Sequence, residues 1–131
     1  MSKKMTHSDC FAAYGTVPRN LRWSWSGRSR DGKVVSVTFW QDLFEDGGRI
    51  YRSSAHSSED RWYGSPGHKE LVENMQHAWD HCDGELKIII AIAKDPKAAP
   101  RSIRECFPAI NLKMRLREFD SKTGDFVVER I

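Results

Sequence analysis

Residues 21–40, LRWSWSGRSRDGKVVSVTFW, carry the sharpest apolar/polar pattern in the chain. Leu21, Trp23 and Trp25 alternate with Arg22, Ser24 and Ser26, a period of two that predicts a strand with one buried face. Asp31-Gly32 is a turn signal, and the β-branched, aromatic run VVSVTFW behind it predicts the second strand of a hairpin. Upstream, Ser8 is placed to cap a short helix that runs to Tyr14 and stops at Gly15. Downstream, Asp46-Gly47-Gly48 marks another turn and 49–53 a short strand.

The period then changes. Over 68–82, Leu71, Val72, Met75, Ala78, Trp79 and Cys82 form a stripe at helical spacing, closed by Asp83-Gly84. The run ELKIIIAIAK, 85–94, is apolar on both faces and predicts a central strand. Residues 95–108 hold three prolines and a short helix over 102–106. Leu112, Met114 and Leu116 then alternate with Lys113, Arg115 and Arg117, and a turn at 122–125 leads into a last strand, 126–130. Residues 53–67, SSAHSSEDRWYGSPG, predict a long loop, either functional or mobile at that length.

These elements predict an α+β protein: a small, mostly antiparallel curled sheet, or a partly open barrel, of about six strands with one principal helix at 68–82. A single domain over 1–131 with residues 1–8 flexible is expected from the length. The curled form is preferred because a strand apolar on both faces needs cover on both sides.

Composition narrows the class. Hydrophobic residues make up 39% and charged residues 30%, ordinary for a globular protein. The longest apolar run, 88–93, is far short of the roughly 20 residues a membrane helix needs, so no membrane partner is expected. Basic residues near the start are followed by no apolar segment of signal-peptide type. Cys10, Cys82 and Cys106 are odd in number and widely spaced, which favours reduced thiols and a cytoplasmic location over a disulfide framework or a structural zinc.

A net charge of +3 does not by itself identify a nucleic-acid binder, but its distribution is uneven. Residues 1–54 carry nine Lys/Arg against five Asp/Glu, 55–84 two against six, and 85–131 ten against seven. Basic outer thirds around an acidic helix suit a polyanion on one side of the molecule. The same charges scattered over solvated faces are the plainer alternative.

The candidate chemistry follows from aromatic and basic side chains on neighbouring strands. Trp40 shares a strand face with Ser36 and Thr38, opposite Val35, Val37 and Phe39, and is expected on the less buried side. With Trp62 and Tyr63 of the loop it offers stacking walls for a base. Arg22, Arg28, Arg30, Lys113, Arg115 and Arg117 offer phosphate contacts, and Asp95, in a loop with Arg101 and Arg104, a polar reader. The expected function is a nucleic-acid-binding module cradling a single flipped or modified base, non-enzymatic and without cofactor or metal. A charged strand face guarding an edge explains the basic row equally well.

Two other functions stay open. Glu85-Leu86-Lys87 fits the short E-x-K element of restriction-type nucleases, where a carboxylate holds Mg²⁺ and lysine polarises water, with Asp42, Glu45, Asp46 or Asp60 as the second acid. A protein-interaction domain using exposed aromatics such as Trp62 is the other. On the helix, Glu70, Asn74, His77 and His81 form a stripe away from the apolar one, expected to be a solvated face rather than a metal site.

Overall fold

The computed structural model describes residues 5–21, 23–56, 64–98 and 101–131. Helix α1 is His7–Ala13 and α2 is Pro66–His81; the strands are β1 Thr16–Val17, β2 Ser26–Ser29, β3 Val35–Trp40, β4 Ile50–Arg52, β5 Glu85–Ala93, β6 Ile103–Phe119 and β7 Phe126–Arg130. They form one open seven-stranded sheet in the order β1-β2-β3-β5-β6-β7-β4. All neighbouring pairs are antiparallel except β3 and β5, which run parallel. Helix α2 lies between those two strands in the chain and belongs to the long crossover a parallel pair requires. The expected α+β class, with a mostly antiparallel curled sheet and one principal helix, is what the chain adopts. The additional strand is the two-residue β1.

Helix α2 starts at Pro66, with Ser65 as its cap: the Ser65 hydroxyl accepts from the His68 N–H at 3.2 Å. Its Leu71, Met75 and Ala78 are buried against Val35, Val37 and Phe39 of β3, Leu86 and Ile88 of β5 and Met114 and Leu116 of β6. Helix α1 covers the other face, burying Cys10 and Phe11 with Trp40, Ile89, Ala91 and Cys106. Its cap is Thr6, two residues before the expected Ser8. Thr6 and Asp9 exchange side-chain-to-backbone bonds of 3.1 and 2.9 Å, a reciprocal box that Ser8 would have to form with Phe11, which has no acceptor.

Cover on both sides buries every residue of β3. Ser36 and Thr38, on the α1 side, keep their hydroxyls satisfied: Ser36 Oγ lies 2.7 Å from Thr16 Oγ1 and Thr38 Oγ1 lies 2.7 Å from His7 Nε2.

Three expectations are corrected. Leu21 and residues 23–25 do not form a strand, although Leu21, Trp23 and Trp25 alternate. The Asn20 carbonyl accepts from the N–H groups of Trp23 and Ser24, and Ser24 Oγ accepts from the Asn20 N–H, closing a local turn in place of a ladder. Residues 102–106 do not form a helix. They enter β6, which reaches Ile103 because Ala91, Ile92 and Ala93 of β5 pair with Cys106, Glu105 and Ile103. Of the stripe of Glu70, Asn74, His77 and His81, His81 is exposed as expected, but the other three are not on a solvated face. Glu70 and Asn74 are 2% and 5% exposed, and the three side chains accept from the Arg19 N–H, donate to Ser26 Oγ and meet the Gly32 carbonyl oxygen.

Candidate nucleic-acid interface

Strand β6 alternates in the way its sequence implies. Met114 and Leu116 are 0% and 4% exposed in the core under α2, so Lys113, Arg115 and Arg117 point to the opposite side of the sheet, and all three are exposed. The ladders set their neighbours. Arg115 stands between Glu85 of β5 and Glu129 of β7, a row that balances its own charge. One step along, Lys113 stands directly opposite Lys87. Like charges at such a cross-strand position are destabilising.

Much of the surrounding charge is paired. Arg115 meets Asp83 at 3.3 Å, Arg117 meets Glu129 at 3.0 Å, and Lys87 meets Glu85 at 3.4 Å. Arg49 shares Glu129 at 3.5 Å. Among the described residues Lys113 makes no ion pair; its backbone carbonyl accepts from the Ile131 N–H. Exposed pairs of this kind contribute about 0–1 kcal/mol each, so phosphates can replace the carboxylates at little cost.

The other basic candidates lie elsewhere. Arg28 is half-buried on the α2 side, where Nη2 donates to the Glu73 carbonyl at 3.4 Å. Arg30 is exposed at the tip of the β2–β3 hairpin. Arg22, Trp62 and Tyr63 lie outside the described residues. The outer thirds of the chain therefore do not pool all these cations on one surface.

Trp40 is the principal correction to the expected site. It is 1% exposed, its ring packs 5.3 Å from that of Trp25, and the Arg101 guanidinium lies 5.3 Å over it. The face carrying Ser36 and Thr38 looked exposed in sequence because α1 was not expected to cover it. Arg101 makes a two-point contact with Asp42, 2.7 and 2.9 Å, which holds the Asp42 carboxyl below its usual range, and donates a further bond to the Pro96 carbonyl. Asp95 is not joined to Arg101. It is exposed, and its Oδ1 accepts from the Lys97 N–H at 2.9 Å within its own turn.

The nuclease constellation is not brought together among the described residues. Glu85 and Lys87 begin β5, whereas Asp42, Glu45 and Asp46 follow the end of β3, whose Trp40 is in register with Ala91. Each of those acids is engaged by an arginine: Arg101, Arg52 and Arg49 respectively. Asp60 lies outside the described residues. Among the described residues no three His, Cys, Asp or Glu side chains are placed to hold a metal ion, and no helix is long and apolar enough to cross a membrane.

Sequence reasoning missed two features. One is the opposition of Lys87 and Lys113, which depends on a register broken by the β6 bulge between Pro108 and Lys113. The other is the arch this bulge makes, where Phe107 and Ile110 are 40% and 73% exposed. Comparison of the chain with protein-family models, curated proteins and solved structures finds no match.

Proposed function

We propose that the protein binds nucleic acid through the exposed Lys113, Arg115 and Arg117 of β6 and the half-buried Lys87 of β5, which contact phosphates. The observation that carries this is the opposition of Lys87 and Lys113 across the β5–β6 ladder, where Lys87 is met by Glu85 at 3.4 Å but Lys113 has no ion pair among the described residues. An anion between the two ammonium groups turns a repulsive pair into a binding site. Contacts of this type follow the backbone and tolerate any base sequence. The expectation of a base held against Trp40 is dropped from the proposal, because that indole is 1% exposed and already packed against Trp25 and Arg101.

The test is fluorescence anisotropy of labelled single-stranded and duplex DNA and RNA at two salt concentrations with EDTA present. Binding should survive EDTA and weaken steeply with salt, with log K falling by about 0.7–0.9 per phosphate contact for each tenfold rise in salt. No binding, or binding indifferent to salt, refutes the proposal. Cleavage that needs Mg²⁺ and is lost in Glu85→Gln would favour the nuclease instead.

One observation favours a second reading, a protein-interaction module. Phe107 and Ile110 border a depression of about 520 Å³ along 107–112 that ends at Arg130. Under that reading Ile110→Asp abolishes a protein complex and nucleic acid has no effect.

A further inference from the structure

Cys10 on α1 and Cys106 on β6 are far apart in sequence, yet their sulfurs are 3.5 Å apart in the second core. Both are free thiols; Cys10 is 0% exposed and Cys106 is 6% exposed. Cys82 lies elsewhere, near the end of α2, with its thiol directed at the Gly32 and Lys33 carbonyls. Beside the pair, Met5, Thr6, His7, Ile103 and Cys106 line a cleft of about 350 Å³ that reaches the Cys106 side from solvent.

We infer that Cys10 and Cys106 form a redox couple, a dithiol that a small disulfide oxidant converts to an intramolecular disulfide tying α1 to β6. The sulfurs need to close by only about 1.5 Å to reach bonding distance. The chemistry balances as thiol–disulfide exchange. Cys106, the one facing the cleft, loses its proton to solvent and attacks a sulfur of the oxidant, releasing one thiolate. Cys10 then loses its proton and attacks the Cys106 sulfur of the mixed disulfide, releasing the second thiolate. Two protein thiols are oxidised by two electrons, and one oxidant disulfide is reduced to two thiols.

Burial sets the rate. It pushes the Cys10 thiol up to about 12 and raises that of Cys106, so little thiolate is present at neutral pH. Oxidation is therefore slow, speeds up as pH rises, and follows poise over long times rather than bursts. Once formed, the bridge closes a loop running from α1 to β6, and long loops gain most from closure.

The test is incubation of the folded full chain with glutathione disulfide, followed by unreduced peptide mapping and thermal unfolding. The expected result is a crosslinked peptide pair containing Cys10 and Cys106, loss of two hydrogen atoms by mass, and a Tm rise of about 5 °C or more that dithiothreitol reverses. In Cys10→Ala, Cys106 should retain a glutathione adduct instead. Survival of both thiols under conditions that oxidise unfolded chain, or a bridge that uses Cys82, overturns the inference. The wild-type map decides even where the variant fails to fold.

Discussion

Gly67 packs so tightly on the chain before β2 that a β-carbon there would fall 2.5 Å from the Trp23 carbonyl oxygen and 3.2 Å from the Trp25 ring. The first turn of α2 can lie on that segment only because residue 67 has no side chain. Gly67→Ala gains helix propensity, worth about 1 kcal/mol at an open site. Here the backbone clash outweighs it, and a net loss of about 1–3 kcal/mol is expected in urea unfolding. An unchanged or raised midpoint would show that α2 can shift away.

His7 makes stability depend on pH. Burial lowers its pKa from 6.5 to about 4, so the unfolded chain takes up a proton near pH 6.5 that the folded chain refuses until about pH 4. The contribution is complete above pH 6.5 and is lost as pH falls toward 4, by up to about 3 kcal/mol. His7→Gln should flatten that part of the stability curve. Equal slopes for both proteins between pH 7 and pH 4.5 would contradict it.

Arg101 joins an exposed loop to the second core through Asp42 and the face of Trp40. Lysine can neither grip both carboxylate oxygens nor lie flat on the indole. Arg101→Lys should therefore cost roughly 1–2 kcal/mol and shift tryptophan emission to the red as water reaches Trp40. Unaltered emission would mean that the loop does not shield the ring.

Lys113→Glu separates binding from folding. Replacing one member of the Lys87–Lys113 opposition with an acid removes a repulsion and should raise stability by about a few tenths of a kcal/mol. The same change should weaken nucleic-acid binding and lower the salt slope by about 1. A variant that is less stable as well as weaker in binding would point to a structural role for Lys113.

The legible parts of this chain were those whose pattern matched one local period. The stripe of Leu71, Met75 and Ala78 and the alternation of Met114 and Leu116 with Lys113, Arg115 and Arg117 both have their expected burial. Misreadings arose where tertiary contacts overrode local pattern. The alternating tryptophans of 21–25 lose to the bonds of Asn20 and Ser24, and the polar positions Ser36 and Thr38 are buried by partners more than fifteen residues away. The site divided along the same line. Its basic row was visible from spacing alone. The burial of Trp40 depended on a seven-residue helix whose position over β3 no periodicity announces.

The position of β4 has a consequence for how the molecule is made. Tyr51 is 0% exposed, yet its strand partner is Val128, so β4 has no strand neighbour until β7 exists. During synthesis the first hairpin and α2 leave the ribosome well before that partner, and Ile50–Arg52 must wait without a ladder, with side-chain contacts such as Tyr51 on Phe39, 3.8 Å between ring centroids, to hold it. Completion of the sheet is therefore a late, long-range event. The interval between translating β4 and β7 is when a chaperone has most to protect.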